Sequence, residues 1–196
     1  LFTMFMFYEV ALIPMYLLIG VWGSGKKEYA AMKLTLMLMG GSAFLLIGIL
    51  GIFYGAGGET MNLLEIAKLH IPMEFQELFF PLIFLGFGVL GALFPFHTWS
   101  PDGHASAPTA VSMLHAGVLM KLGGYGCFRV AMFLMPEGAE MWGNFFLVLT
   151  TISVVYGAFS AVVQTDLKYI NAYSSVSHCG LVLFALLMMT RTSCTG

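Results

Sequence analysis

The chain has 196 residues, of which 59% are hydrophobic and only 9% are charged, and its mean hydropathy is +0.90. A soluble domain carries about 25% charged residues, so this composition excludes an ordinary water-soluble protein and indicates a largely lipid environment. The net charge of -2 provides no basic surface for nucleic acid, which excludes DNA and RNA as partners.

Motifs that bind redox cofactors or nucleotides are missing. The three cysteines form no CxxC pair, no GxGxxG follows a strand-like segment, and no P-loop occurs. We therefore expect this chain to hold no NAD, ATP, metal or iron–sulfur cluster, so that any redox chemistry belongs to a partner. Because Leu1 already lies in an apolar run, we expect a longer parent protein, with residues 1–189 as a partial transmembrane domain and 190–196 as a truncated tail.

Six apolar runs approach the length of about 20 residues that a bilayer-spanning helix needs. They cover about residues 1–22, 30–54, 77–94, 109–135, 142–163 and 167–189. The sequence therefore predicts an all-α, polytopic transmembrane helix bundle. The polar connection 55–76 contains NLLEIAKL, whose apolar spacing predicts a short helix, either in the membrane interface or in an ordinary loop.

The third run is predicted to belong to a broken helix. It is followed by FPFHTWSPDGHASAP, which contains three prolines and several polar groups, among them Pro95, His97, Asp102 and His104. Backbone that is interrupted at membrane depth must be lined by protein or water, and transporters use such breaks as gates or ion entry points. A metal site at the two histidines is the alternative, but no further cysteine or carboxylate pattern completes one.

Short connections between the runs make neighbouring helices antiparallel. If the runs alternate across the membrane, the connections near residues 26, 100 and 166 share one side, and four lysines lie near them: Lys26, Lys27, Lys33 and Lys168. The positive-inside rule then predicts that this side faces the cytoplasm or the matrix.

An ionisable group in the hydrocarbon region costs about 2.5–3.5 kcal/mol on insertion scales, which makes it a candidate functional residue, and Glu9 and Lys121 meet this test best. Glu9 is followed by Pro14, whose missing N–H loosens the helix and admits water. Lys121 precedes two glycines, and a buried lysine of this kind can take up and release protons. The simpler interpretation makes each residue a structural partner of a neighbouring helix. His115 is a candidate proton donor to Lys121, although it is equally a core histidine that does not share its helix face.

The sixth run carries one polar stripe. Lys168, Asn171, Ser175 and His178 are spaced three, four and three residues apart, so they share one face of a helix. Such a stripe predicts a polar interior in which these side chains relay protons. Hydrogen bonding between helices explains the same pattern and remains the alternative.

Three segments resemble the proton-conducting membrane transporter family: FYEVALIPMYLLIGVWG, FPFHTWSPDGHASAPTAVSMLHAGVLMKLGGYG and QTDLKYINAYSSVSHCGL. The family contains the antiporter-like subunits of complex I and the Mrp-type cation/proton antiporters, and the SVSH ending looks most like the chain M type. The resemblance implies an inverted-repeat fold, of which this chain would cover about the fifth to the tenth helix.

The resemblance also implies roles for individual residues. Glu9 matches the family's fifth-helix glutamate and Lys121 its eighth-helix lysine, while His97 and His104 match the histidines around the broken helix. His178 and Lys168 match the tenth helix. The family usually has a seventh-helix lysine that pairs with the glutamate, but Leu90 occupies that position here, so either another residue such as His115 substitutes or the coupling is altered.

The function that this resemblance implies is proton translocation in a complex I type NADH:quinone oxidoreductase, coupled to quinone reduction. NADH, FMN, iron–sulfur clusters and quinone would then belong to partner subunits, and the chain itself would contact other membrane subunits, the lipid bilayer and protons. We expect a multi-pass protein of the bacterial plasma membrane or the mitochondrial inner membrane. An Mrp-type antiporter subunit is the alternative, and a structural subunit without transport is a third possibility.

Overall fold

The computed structural model describes residues 1–69 and 71–192, with side chains as far as Met188, and every regular element in this part is helical. The long helices are α1 (Phe2–Trp22), α2 (Lys27–Gly55), α4 (Met73–Leu90), α8 (Pro136–Val163) and α9 (Leu167–Thr192). Shorter ones are α3 (Leu63–Lys68), α5 (Trp99–Ser106), α6 (Thr109–Leu114) and α7 (Met120–Gly126). The predicted all-α class is confirmed.

Five helices are long and apolar enough to cross a membrane, namely α1, α2, α4, α8 and the part of α9 from Leu167 to Met188. Their outer faces expose large apolar side chains, such as Phe7 at 71% and Val162 at 82%. Water would make so much exposed apolar surface unfavourable, whereas lipid tails accommodate it. The chain is therefore an integral, multi-pass membrane protein.

The fourth predicted run is also helical, but it is not a uniform α-helix. Between residues 109 and 134, π-helical turns at His115–Leu119 and Cys127–Met132 flank α7. A π-turn inserts an extra residue and shifts the phase of the side chains that follow, and such turns are frequent at functional sites. Neither turn is apparent in the sequence.

Several helix ends lie on one side of the bundle, as predicted if successive apolar runs alternate across the membrane. The N–H of Ser24, after α1, donates to the carbonyl of Ser106 at 2.9 Å, and Lys168 Nζ, at the start of α9, lies 3.4 Å from the carbonyl of Ala107. The connections after α1, α5 and α8 therefore lie on one side, which we call side A. That side A faces the cytoplasm or the matrix remains a prediction.

Several boundaries differ from the predicted ones. Helix α4 covers 73–90 instead of 77–94, because Pro72 sets its start and the chain turns at Ala92, whose φ is +59°. Helix α8 begins at Pro136 instead of 142, since proline is well suited to the first turn of a helix. Helix α9 reaches Thr192, and the rest of the predicted tail, 193–196, lies outside the described residues.

Close backbone packing holds α2 against α4. A Cβ on Gly86 would lie 3.0 Å from the carbonyl oxygen of Gly41, so the two helices approach here without side chains between them. Phe80, Phe84 and Phe146 then form an aromatic cluster between α4 and α8, with Phe84 and Phe146 centroids 4.4 Å apart. Dispersion and close packing of this kind are what stabilise helix contacts in lipid.

Helix α3 confirms the short helix predicted in NLLEIAKL. Its N-cap, Asn62, accepts a hydrogen bond from the N–H of Leu64 at 3.2 Å, and Ile66 is buried beneath it. The position of α3 in the membrane interface remains a prediction.

Candidate functional site

The break in the third membrane helix is confirmed, and it places α5 as a separate short helix. Helix α4 ends at Leu90, and the indole N–H of Trp99 donates to the carbonyl of Val89 at 3.0 Å, which satisfies one of the free carbonyls at that end. His97 lies buried in the break, with its Nδ1 atom lacking a hydrogen-bond partner. Pro95 is exposed in the same segment.

An ion pair fixes α5 to α2. Lys33 Nζ lies 2.7 Å from Asp102 Oδ2, and the side chains are 25% and 29% exposed. The other carboxylate oxygen, Oδ1, accepts from the hydroxyl of Tyr169 at 3.4 Å. Helices α2, α5 and α9 therefore meet at one carboxylate. Asp102 was predicted as a site residue, but this role of Lys33 was not, although a charge six residues into an apolar helix was a usable signal.

A second lysine contacts the C-terminal end of α5. Lys168 Nζ lies 3.5 Å from the carbonyl of Ala105 and 3.4 Å from that of Ala107. A cation at a helix C-terminus is favourable because the last carbonyls have no intrahelical partner and the helix dipole is negative there. Together with Lys33, it holds α5 at side A.

Two histidines form a buried pair between α5 and the π-turn. The rings of His104 and His115 are perpendicular, with centroids 4.7 Å apart, and His115 also packs edge-on against Trp99 at 5.1 Å. His104 Nδ1 lies 3.1 Å from Ser112 Oγ, and its Nε2 lies 3.4 Å from Met120 Sδ. Both ring nitrogens of His115 are buried without a partner.

A cavity of about 1040 Å³ runs along α9. Its titratable lining comes from α5, α7 and α9, namely His104, Lys121, Lys168 and His178, and its hydroxyl and amide groups come from α6 and α9, among them Ser112, Asn171 and Ser175. The polar stripe predicted on α9 and Lys121, the lysine of the fourth run, thus line the same cavity. His115 does not line this cavity, but its ring contacts that of His104, which does.

Close packing places Lys121 at the cavity. A Cβ on Gly123 would lie 2.6 Å from the backbone nitrogen of Gly91, so α7 presses directly against the end of α4. Only glycine permits that approach, and it turns the side of α7 that carries Lys121 towards α9. Gly123, the first of the two glycines after Lys121, therefore allows the close helix contact that was predicted for this pair.

Glu9 lies apart from this cavity. Its Oε1 atom is buried without a hydrogen-bond partner, and so is Thr35 Oγ1; both residues line a pocket of about 320 Å³ between α1 and α2. No residue of α4 lines this pocket, and Leu90 is fully buried in the apolar core. The structure places His115 against His104 and Trp99, so His115 does not contact Glu9 in place of the family's lysine.

The described residues contain no group of three histidine, cysteine or acidic side chains arranged to hold a metal ion. The cavity instead combines amines, imidazoles, hydroxyls and an amide. Groups of these types bind and release protons or hydrogen-bond to water, which suits a path for protons.

Comparison with known proteins shows the family of this chain. The family model described as "NADH:quinone oxidoreductase/Mrp antiporter, TM" matches residues 1–196. The chain belongs to this family. Among curated relatives of the family, chloroplastic NAD(P)H-quinone oxidoreductase chain 4 of Citrus sinensis is 40% identical over 98% of this chain. NADH-quinone oxidoreductase subunit M of Rickettsia prowazekii is 37% identical over 98% of this chain. The chain spans 39% of the length of each of these two relatives.

Solved structures share the fold. A chain of respiratory complex I from Thermus thermophilus with bound NADH superposes with a TM-score of 0.88 at 30% identity, covering 95% of this chain and 40% of that chain. A chain of the Mrp complex from Dietzia sp. has a TM-score of 0.83 at 24% identity over 96% of this chain and 35% of that chain, which is a likeness of fold. The antiporter-like fold predicted from the sequence is confirmed.

Proposed function

We propose that this chain is part of a proton-translocating membrane subunit of a complex I type NADH:quinone oxidoreductase. The observation that carries this proposal is the cavity along α9, where Lys121, Lys168, His104 and His178 meet in a bundle whose outer face is apolar. Ionisable groups at membrane depth are unfavourable unless they serve transport or pair with one another. The curated relatives that are named NADH-quinone or NAD(P)H-quinone oxidoreductase subunits support the assignment.

In this proposal Lys121 is the central proton-binding group. A lysine amine in such a cavity is sensitive to the surrounding charges, because each added positive charge disfavours its protonated form. The stripe on α9 and the water of the cavity pass protons between Lys121 and side A. Glu9, in its separate pocket, is a second proton-binding group.

The chain supplies no redox chemistry in this account. It acts as the translocase part of the enzyme, while NADH, FMN, iron–sulfur clusters and quinone are bound by partner subunits. Quinone reduction in those subunits drives proton transfer through electrostatic and conformational coupling, so the other membrane subunits are the partners of this chain.

The fold likeness to the Mrp complex makes a cation/proton antiporter the second candidate. One experiment distinguishes the two candidate functions: the tagged full-length protein is isolated from its native membrane, and the co-purified chains are identified. We expect flavin- and iron–sulfur-containing subunits with NADH:quinone reductase activity. Co-purification of membrane subunits alone, with sodium/proton exchange in proteoliposomes, would contradict the proposal.

A further inference from the structure

Helix α9 carries a second polar face that the cavity does not use. At about 100° per residue, Tyr169, Tyr173 and Ser177 lie on the side of the helix opposite the stripe from Lys168 to His178. Ser177 Oγ donates to the carbonyl of Val154 at 3.0 Å, which shows that this second face is turned towards α8.

The outer end of this face is the carboxylate of Asp102. Its Oδ1 accepts from the hydroxyl of Tyr169, and its Oδ2 pairs with Lys33. Asp102 is 29% exposed near side A, so water reaches it. A carboxylate with this access can exchange protons with the aqueous side.

The inner end is His97, which is buried in the helix break with an unpartnered Nδ1. Its ring packs edge-on against Tyr156 of α8 at 4.8 Å, and the Tyr156 ring packs edge-on against Tyr173 at 6.5 Å. A buried nitrogen without a hydrogen bond is costly, so a water molecule that donates to Nδ1 would stabilise His97.

The path runs inward from Asp102 to His97. With a rise of about 1.5 Å per residue, Tyr169 lies about 3 Å, Asp102 about 6 Å, Tyr173 about 9 Å and Tyr156 about 10 Å inside the ends of their helices at side A. His97 precedes the whole of α5 and lies deeper still. Tyr173 and Tyr156 therefore lie, in depth, between the carboxylate of Asp102 and the buried imidazole.

We propose that Asp102, Tyr169, Tyr173 and Tyr156 form a proton-loading path from side A to His97, separate from the cavity along α9. This inference rests on the proposed proton-translocating function and adds a second entry route to it. Asp102 takes a proton from water, and each phenol gives up its own proton inward as it accepts one from the preceding group, directly or through bridging water. His97 Nδ1, in the tautomer protonated on Nε2, accepts the last proton and becomes an imidazolium.

The test uses Tyr156→Phe and Tyr173→Phe in the intact parent complex in native membrane vesicles. Phenylalanine keeps the ring contacts and removes only the hydroxyl. Lys121→Ala defines how much of the pumping depends on this subunit. Because each tyrosine variant closes one of the two entry routes, we expect it to lower that part by about half, since a positioned proton-transfer group contributes strongly to rate. Tyr125→Phe, on the exposed face of α7, is the matched control and should pump normally.

The double variant distinguishes a path from two separate packing defects. If both hydroxyls act in series, Tyr156→Phe/Tyr173→Phe should pump no more slowly than the slower single variant, whereas multiplied defects would overturn the path. If both tyrosine variants pump normally while Lys121→Ala pumps poorly, the path is overturned and the proposed function stays intact. Normal pumping in Lys121→Ala contradicts the proposed function itself. If one tyrosine variant fails to assemble with its partner subunits, the other carries the test.

Discussion

The ion pair between Lys33 and Asp102 gives the sharpest prediction about how α5 is held. At the observed 2.7 Å, the Coulomb attraction is about 6 kcal/mol with an effective dielectric constant of about 20. Desolvation of both charges offsets most of this attraction, and each side chain stays at least a quarter exposed. We therefore expect a net coupling of about 1–2 kcal/mol, above that of an ordinary surface pair.

A double-mutant cycle measures this coupling. Lys33→Gln, Asp102→Asn and the double variant are compared by the free energy of unfolding of the full-length protein, titrated with SDS in mixed micelles. Asparagine preserves the acceptor for Tyr169, so the cycle isolates the charge interaction. Since 1.36 kcal/mol is a factor of ten in an equilibrium constant, such a coupling corresponds to about a five- to thirty-fold change in the fraction of molecules with α5 released.

Lys27→Gln is the matched control, because this lysine lies at the same end of α2 but, within the described part of the chain, donates to the carbonyl of Val21 at 3.2 Å and not to a carboxylate. It should change the free energy of unfolding by less than about 0.5 kcal/mol. Additive effects of Lys33→Gln and Asp102→Asn, with no measurable coupling, would refute the argument that this pair fixes α5.

Two further predictions concern the packing around the site. Gly123→Ala should destabilise the protein by about 1–3 kcal/mol in the same SDS titration, because the new Cβ meets the backbone of Gly91. Gly117→Ala, with open space around the new Cβ, is the control and should be nearly neutral. Equal effects of the two substitutions would contradict the packing argument. Leu90→Lys should lower the amount of assembled protein in the membrane, since it puts a charge into a fully buried apolar site, and Leu90→Met should not. Normal accumulation of Leu90→Lys would show that a counter-charge reaches this position.

The sequence was sufficient to predict features that depend on local pattern. Run length and composition predicted the membrane helices, and the prolines predicted the break before α5. The three- and four-residue spacing from Lys168 to His178 correctly predicted a polar helix face, which lines the cavity. Each of these signals comes from residues close together in the chain.

Other features depend on contacts between distant residues and were not predictable in this way. Lys33 and Asp102 are 69 positions apart, and nothing local to either residue identifies the other. The π-turns beside Lys121 likewise lack a sequence signal; they flank α7, which packs against the distant helix α4. The separation of Glu9 from the cavity, and the pairing of His115 with His104, depend on the arrangement of whole helices.

The central claim is that protons cross the membrane by way of Lys121 in the cavity along α9. The most direct test is the proton-to-electron ratio of the intact complex in sealed vesicles, measured for wild type, Lys121→Ala and the exposed control Lys26→Ala while NADH is oxidised. We predict a lowered ratio for Lys121→Ala and a wild-type ratio for Lys26→Ala. An unchanged ratio in Lys121→Ala, in a complex that assembles and turns over normally, would contradict the account.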